Sequence, residues 1–569
     1  MDFTVSGIRA HLAAGGGAVA IAEEALERIA RFGDPALFLH AVPRDALLRD
    51  AASLPPGPLH GVPFVVKDNI AVAGMPTTAA CRAFSHVPAE DAPAVARLKA
   101  AGALLLGKVN LDQFATGLNG TRSPYGTPRN ARDARLVPGG SSSGSATAVA
   151  AGIAAFSLGT DTAGSGRVPA MAQGIVGLKP TVGLVPSRGV VPACRSIDCV
   201  SVFAQSVADA ATVLGVIAGA DAQDPYSRPS PPFFRAIDAA PPRPRLLAPL
   251  PDELVFDGPV EAALYDAALA RLTAAGASLT RVSIAPFLAL ARRLYDGAWV
   301  AERTSALRDW VENRPDALHP VTRAILEGGL NRRTVDAFDD FHAQAEARLL
   351  ARAMFAAADA LVLPTAPGIP TLEVMAADPI GANSRLGTYT NFVNLCDLAA
   401  LAVPVPGDVP FGLTFVAPAF RDGALAGIGA AFVGEPLEAP TVAADEVELF
   451  CIGAHMSGLP LNPQVLRHGG RFLREATSAP LYRLKSLGNR PGMFRGAPGV
   501  SVAGEVWALP LAGIGPFLVE IPPPLGFGRV ELADGTKPLG FIAEEGAVRD
   551  APDISHHGGW RAFLASQAR

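Results

Sequence analysis

The chain has 569 residues, of which 49% are hydrophobic and 18% charged, and its formal net charge is −5 at pH 7. This composition excludes an intrinsically disordered protein and predicts a globular chain long enough for more than one domain. Because Lys and Arg form no dense cluster, neither nucleic acid nor an anionic membrane surface is an expected partner.

The start of the chain and its cysteines predict a cytoplasmic location. Residues 1–17 lack the basic and apolar segments of a secretory signal peptide. The run ATAVAAGIAAFSLG at 146–159 is too short to span a membrane, and we expect a buried helix there. The five cysteines are scattered and odd in number, which favours free thiols. Cys194 and Cys199 lack a second pair at metal-ligand spacing, so no metal site is expected.

Strands and helices alternate along residues 1–433, which we take as the first domain. GVPFVVKDNI at 61–70 has the apolar run of a buried strand. AVARLKAAGALLLGKVN at 94–110 predicts a helix that ends at Gly102 and is followed by a strand. DALVLPTAP at 359–367 predicts another strand closed by a turn. Such alternation is typical of an α/β fold in which helices cover a mixed β-sheet.

The composition changes after residues 434–446, where GEPLEAPTVAADE is rich in proline, alanine and acidic residues and predicts a linker. The segments that follow, such as VELFCIGAHMSGLPL and VSVAGEVWALPL, predict short strands. Asp534-Gly535 is a hairpin turn signal. Residues 447–569 are therefore predicted to form a separate, small, strand-rich α+β domain.

Two segments close together are crowded with hydroxyl side chains, GGSSSGS at 139–145 and GTDTAGSGR at 159–167. The first matches the G-x-S-x-G pattern of a nucleophile elbow centred on Ser142, but RLVPGG stands where that elbow needs a strand. Nothing in the sequence links His319 or His342 to this serine. A phosphate-binding loop does not fit either, because no Gly-Lys-Ser/Thr follows the glycines. A flexible linker is the remaining simple alternative.

A serine nucleophile without histidine needs another base, and a neutral lysine can serve. Burial can lower the lysine pKa from its usual ~10.4 by ~3–5 units. Lys67 lies at the end of the apolar run VPFVVK, where such burial is expected. By its position alone, the side chain could equally reach solvent from the strand end or pair with Asp68.

The order Lys67, Ser141 and Ser165 resembles the amidase signature family. Lys67 and Ser141 are 74 residues apart, and Ser141 and Ser165 are 24 apart, as in that family. The surrounding motifs are also similar to those of the family, namely LHGVPFVVKDNI, LDQFATGLNGTRSPYGTPRN, GIVGLKPTVGLVPSRGVVP and LVLPTAPGIP. The resemblance extends over about residues 5–430 and implies hydrolysis of an amide, without metal or cofactor.

The resemblance implies a role for each member of a Ser-Ser-Lys triad. Ser165 is the expected nucleophile, Ser141 the bridging serine, and Lys67 the general base and later the acid for the leaving amine. The peptide bond between Gly140 and Ser141 is expected to be cis. An oxyanion hole is expected from the backbone N–H groups of the residues leading to the nucleophile, namely Thr162, Ala163, Gly164 and Ser165.

Three sequence motifs resemble those of the allophanate hydrolase branch of this family. These are GTDTAGSGRVPA with Ala163, RRLYDGAWVAERTSAL, and TYTNFVNLCDLAALAVP. Allophanate is urea that carries an N-carboxylate, so its site needs a cation. The resemblance assigns the carboxylate to Tyr295 and Arg303, which are expected to share one helix face two turns apart. The alternative is a solvated surface helix. Gly120 is a further candidate, for a backbone contact to the ureido end.

Other functions stay open from the sequence. The alternatives are a general amidase, the glutaminase component of a tRNA amidotransferase, which shares the fold, and a non-enzymatic scaffold. The resemblance to allophanate hydrolase favours a homodimer and a functional link to a biotin-dependent urea carboxylase in urea degradation.

The second domain resembles the C-terminal domain of allophanate hydrolases, with IGAHMSGLPLN, PPPLGFGRVELADG and the terminal GGWRAFL. Its fold is similar to that of γ-glutamyl cyclotransferase-like proteins, which have a small anion-accepting cavity. His455 is a possible site residue there, because a loop histidine can handle a proton at neutral pH. The opposing interpretation is that His455 only satisfies backbone groups and that the domain serves folding or dimer contacts.

Overall fold

A computed structural model describes residues 1–232, 234–437 and 440–567. The strands of the first domain are β1 Phe38–Ala41, β2 Pro63–Lys67, β3 Leu104–Val109, β4 Phe156–Asp161, β5 Val176–Lys179, β6 Cys199–Ala204, β7 Arg245–Pro249, β8 Ser278–Val282, β9 Ala360–Pro364, β10 Leu398–Val405 and β11 Phe411–Pro418. They form one 11-stranded mixed sheet in the order β1-β3-β2-β4-β6-β5-β10-β11-β9-β7-β8. β2 is parallel to β3 and β4, whereas β6 is antiparallel to β4. The predicted α/β architecture is confirmed.

Helices cover both faces of this sheet. They are α1 Val5–Ala13, α2 Ala18–Phe32, α3 Arg44–Ala52, α4 Pro93–Ala100, α5 Ser143–Ala150, α6 Val168–Gln173, α7 Val207–Ile217, α8 Pro259–Ala274, α9 Ala285–Asp296, α10 Ala298–Ala306, α11 Arg308–Asn313, α12 Pro320–Leu330, α13 Thr334–Phe355, α14 Leu372–Ala377, α15 Gly381–Leu386, α16 Asn391–Leu395 and α17 Asp422–Val433. α5 consists of small residues because it packs very closely: a Cβ at Gly144 would lie 2.7 Å from the Asn110 nitrogen.

The three quoted strand segments form as predicted, as β2, β3 and β9. α4 ends before Gly102, which adopts a φ of +88°, and the chain continues into β3. The prediction of one buried helix at 146–159 is wrong for its second half. α5 ends at Ala150, Gly152 turns the chain with a φ of +66°, and β4 begins at Phe156, because the apolar run completes the sheet beside β2.

The second domain has its own sheet and its own buried core. Its elements are β12 Glu446–Cys451, α18 Asn462–Arg467, β13 Arg471–Thr477, β14 Tyr482–Ser486, β15 Pro491–Arg495, β16 Ala503–Pro510, α19 Leu511–Val519, β17 Leu525–Arg529, β18 Leu539–Ala543, α20 Glu545–Val548 and α21 Trp560–Gln567. Five strands form a sheet in the order β13-β16-β12-β18-β17, and β14 pairs with β15. The predicted turn at Asp534-Gly535 connects β17 to β18, which pair antiparallel. Across all described residues, none of the helices has the length and apolarity to cross a membrane.

Candidate active site

Lys67 ends strand β2 in the middle of the core. Its side chain is fully buried, and its Nζ lies 2.8 Å from Ser141 Oγ and 2.7 Å from Thr160 Oγ1. Burial lowers the pKa of Lys67 to about 7, although the carboxylates of Asp112, Asp198 and Asp161 act in the opposite direction. A lysine with this pKa is substantially neutral at neutral pH and can accept a proton.

Ser141 precedes helix α5, and the peptide bond between Gly140 and Ser141 is cis, as the resemblance implies. The Ser141 carbonyl accepts a hydrogen bond from the Asp112 N–H at 3.0 Å. A Cβ at position 140 would lie 2.1 Å from Asp112 Oδ2, so this position requires glycine. The Lys67–Ser141 pair of the predicted triad is therefore formed.

Ser165 follows strand β4, and the residue is 3% exposed. Its Oγ donates to the Gly117 carbonyl at 3.5 Å. Among the described residues, Ser165 Oγ makes no hydrogen bond to Ser141 Oγ. The relay between the two serines therefore stays a prediction that requires rotation of the Ser165 hydroxyl.

The loop that carries Ser165 is fixed by a buried ion pair. The two oxygens of Asp161 accept the N–H groups of Gly164 and Gly166 at 3.0 and 2.9 Å. Arg167 donates to both oxygens at 2.9 Å. Burial acts to raise the pKa of Asp161, but the Arg167 guanidinium outweighs it and the pKa is lowered. The carboxylate therefore stays ionised and holds the backbone on both sides of Ser165.

The same loop leaves backbone donors for an oxyanion. Within the described part of the chain, the N–H groups of Thr162, Ala163 and Ser165 meet no hydrogen-bond acceptor. The Gly164 N–H is not free as expected, because it already donates a hydrogen bond to the Asp161 carboxylate. Gly164 has a φ of +130°, and a Cβ there would lie 2.3 Å from Thr390 Oγ1. Three of the four expected donors are thus free to stabilise developing negative charge.

Tyr295 and Arg303 come together, but not in the way the sequence predicts. The expected single helix is wrong: α9 ends at Asp296, Gly297 breaks the helix, and α10 begins at Ala298. Asp340 of α13 stabilises the break, because its carboxylate accepts the Ala298 N–H at 2.7 Å and leaves no room for a Cβ at Gly297. The Arg303 guanidinium carbon still lies 5.4 Å from the centre of the Tyr295 ring.

The Arg303 guanidinium is fully buried and is anchored at one end. Its Nη1 donates to Thr116 Oγ1 at 2.9 Å and to the Ala115 carbonyl at 3.3 Å. Its Nη2 has only a 3.9 Å contact to the Cys194 sulfur, and its Nε has no partner. The Nε–Nη2 edge can bind a carboxylate with two parallel hydrogen bonds, and among the described residues neither nitrogen donates to an oxygen.

Asp112 is the important residue that the sequence analysis missed. Its two carboxylate oxygens accept the N–H groups of Gly120 and Arg122, both at 2.9 Å. Because its own N–H donates to the Ser141 carbonyl, Asp112 joins the Lys67–Ser141 pair to the loop beside Arg303. The sequence did contain a signal for Asp112: it is an acidic residue just after β3, and β3 is the parallel neighbour of the strand that carries Lys67. Gly120 has a φ of +82°, and because its N–H is engaged, only its carbonyl is left for a substrate contact.

His455 lies in the second domain beside a cavity of about 270 Å³. Its ring stacks on Phe541 with centroids 4.7 Å apart, and its Nε2 lies 2.9 Å from Gln464 Oε1. Burial lowers the pKa of His455 and favours the neutral ring. Arg490 and Glu520 also line this cavity, so charged side chains absent from the sequence segment around His455 reach it from elsewhere in the domain.

Comparisons with known proteins agree on two regions. Residues 20–426 match the Amidase family model, and residues 447–565 match the allophanate hydrolase C-terminal domain. The urea amidolyase of Lachancea kluyveri is 40% identical over 547 residues, which cover 89% of this chain and 30% of that protein. The chain thus spans about 30% of the length of this curated relative.

One glutamyl-tRNA(Gln) amidotransferase component, from Thermus thermophilus, is 36% identical over 432 residues, covering 70% of this chain and 89% of the relative. The solved structure of Kluyveromyces lactis allophanate hydrolase superposes with a TM-score of 0.79 at 37% identity and covers 99% of both chains. Since the family model spans most of the sequence, the chain belongs to the amidase family and carries an allophanate hydrolase C-terminal domain behind its amidase domain.

Proposed function

We propose that the chain hydrolyses allophanate, urea-1-carboxylate, as a step in urea degradation that ends in ammonia and carbon dioxide. The observation that carries this proposal is a buried arginine with a free carboxylate-binding edge in the same site as a serine and a neutral lysine. The likeness to K. lactis allophanate hydrolase over 99% of both chains supports it.

In the proposed mechanism, Ser165 Oγ attacks the amide carbonyl while its proton passes through Ser141 to Lys67. The free N–H groups of the loop stabilise the tetrahedral oxyanion. The C–N bond then breaks, and Lys67 returns the proton so that ammonia leaves. Water attacks the acyl-enzyme in the same way and releases N-carboxycarbamate. Arg303 and Tyr295 hold the carboxylate throughout.

The test of this function is steady-state ammonia release from allophanate, glutamine, acetamide and urea at equal concentrations. Allophanate should have by far the highest kcat/KM, because only it places a carboxylate on Arg303. A preference for glutamine or acetamide would favour the glutaminase component or the general amidase instead.

The pH dependence of turnover should follow Lys67. Its neutral form is the base, and burial lowers its pKa to about 7, so kcat/KM for allophanate should rise with pH and level off above about 7. A pH–rate profile of the free enzyme measures this. A profile that falls as pH rises through 7 would contradict a neutral lysine base.

We further propose domain boundaries of 1–433 and 447–569 with a linker at 434–446, and a second active site at His455. Two separate sheets and the cavity with a histidine and Arg490 support this. N-carboxycarbamate is a dianion that Arg490 would hold. The bound dianion would favour uptake of a proton from solvent by His455, and the imidazolium would pass this proton to the nitrogen as its bond to one carboxylate breaks and carbon dioxide leaves.

His455→Asn should leave release of the first ammonia unchanged and make N-carboxycarbamate accumulate. The measurement is the ammonia yield together with the ¹³C spectrum of the intermediate during turnover. A chain truncated after residue 437 is the second variant. It should fold by itself, since one solved amidase aligns over 99% of its own chain but covers only 76% of this chain. An intermediate that decays equally fast in both variants and in the wild type would mean that the domain is structural.

We propose a homodimer formed through the exposed face of α13. Val335, Phe338, Phe341 and Leu349 on this helix are between 49% and 64% exposed. α13 is acidic near its start, with Asp339, and basic near its end, with Arg352, so two antiparallel copies would pair unlike charges. We also propose the link to a biotin-dependent urea carboxylase, and a cytoplasmic location, which five buried free cysteines support.

Light scattering should give the mass of a dimer for the wild type and of a monomer for Phe338→Glu combined with Leu349→Glu, because each charge would be buried at the interface. Leu511→Glu, on an exposed position of the second domain, is the matched control. An unchanged dimer in the double variant would place the interface elsewhere.

A further inference from the structure

Three arginine side chains of the first domain are almost completely buried. Arg167 and Arg303 are 0% exposed and Arg122 is 1% exposed. Arg167 has the carboxylate partner that a buried guanidinium requires, Asp161. Within the described residues, neither Arg122 nor Arg303 lies within 4.0 Å of a carboxylate oxygen. Two buried cations without a carboxylate in direct contact are costly, and a bound anion would reduce this cost.

The two unpaired arginines are neighbours. Both contact Thr116: Arg303 Nη1 donates to its Oγ1 and Arg122 Nη1 donates to its carbonyl, each at 2.9 Å. The Nε of each guanidinium is buried without a hydrogen-bond partner. Burial lowers the pKa of Arg122; the Asp112 carboxylate acts against this, and the charge of Arg303 acts with it. The two positively charged guanidiniums thus contact the same loop, and each has an Nε–H donor without an acceptor.

We propose that Arg122 and Arg303 together form the receptor for the substrate's carboxylate, which makes Arg122 a further specificity-determining residue. This inference rests on the function proposed above for the same site. A carboxylate between the two guanidiniums relieves their repulsion and gives both Nε groups an acceptor. Affinity should therefore rise with the negative charge of the ligand.

A purely structural role for Arg122 makes a different prediction. Its Nη1 and Nη2 bind the carbonyls of Thr116 and Pro379, so the side chain also clamps two loops together. If clamping were its entire role, loss of Arg122 would weaken neutral and anionic ligands by the same factor.

Three compounds of similar shape and different charge separate these roles: malonamide is neutral, malonamate has one charge and malonate has two. Their Kd values are measured by calorimetry on the full chain with Ser165→Ala. Affinity should increase along this series. Arg122→Gln should weaken malonate roughly tenfold or more and leave malonamide unchanged. Arg49→Gln, on the exposed face of α3, is the charge-matched control and should change nothing.

Arg122→Lys covers the case in which the glutamine variant does not fold. It keeps the charge and gives up the clamp, so it should retain most of the malonate affinity. Equal losses for all three ligands in either variant would overturn the proposal. Failure of the wild type to turn over allophanate would contradict the proposed function, whereas the binding series tests the receptor on its own.

Discussion

Ser165→Ala should reduce turnover of allophanate on the order of 10⁴-fold or more, because no acyl-enzyme can form. Lys67→Ala and Ser141→Ala should each lower kcat by about 10²–10⁴-fold, since each interrupts proton transfer. The Lys67–Ser141 contact of 2.8 Å makes the two residues one unit. The double variant should therefore be little worse than the worse single variant.

Ser143→Ala is the matched control for these substitutions. Its hydroxyl is equally buried two residues after Ser141, but it has no hydrogen-bond partner. This variant should keep most of the wild-type kcat. Full multiplicativity of the Lys67 and Ser141 effects, measured as kcat of the four proteins in the cycle, would contradict the relay.

Arg303→Ala should lower kcat/KM for allophanate far more than for a neutral amide such as acetamide. Loss of a charge-assisted hydrogen bond costs roughly 1.5–3 kcal/mol, which corresponds to about 10- to 150-fold, and a buried site increases this. Arg303→Lys keeps the positive charge but cannot form two parallel hydrogen bonds to a carboxylate. Its kcat/KM for allophanate should lie between those of the wild type and Arg303→Ala. Equal losses for allophanate and acetamide would mean that Arg303 does not bind the substrate's carboxylate.

Local patterns were sufficient for the strands that position the triad. The apolar run before Lys67 forms β2, and the glycine at position 102 separates α4 from β3 as predicted. The proposed triad residues were assigned because they sit in long motifs in a fixed order. The Lys67–Ser141 contact could not follow from either segment alone, since it depends on how the chain packs around β2 and β4.

Features that depend on distant residues could not be predicted. The Asp296-Gly297 pair was a local turn signal that the sequence analysis did not use, whereas the contact of Asp340 with the Ala298 N–H comes from a later helix and could not be predicted. The Gly164 N–H donates to Asp161, whose carboxylate also accepts Arg167, so this N–H is not free for the predicted oxyanion hole. In each case, a carboxylate accepts a hydrogen bond from a backbone N–H that lies across a turn or on another helix. The periodic pattern of apolar residues in a sequence does not reveal such hydrogen bonds.

The central claim, a Ser165 acyl-enzyme formed from allophanate, is tested most directly by trapping with hydroxylamine. Attack of hydroxylamine on the acyl-enzyme gives an N-hydroxylated urea-1-carboxylate, which loses carbon dioxide to form hydroxyurea. With wild-type protein, we expect hydroxyurea to increase with hydroxylamine concentration at the expense of the hydrolysis product, while the first ammonia is released at least as fast. With Ser165→Ala, we expect none. Normal turnover of allophanate without hydroxyurea at any hydroxylamine concentration would contradict the acyl-enzyme and the role of Ser165.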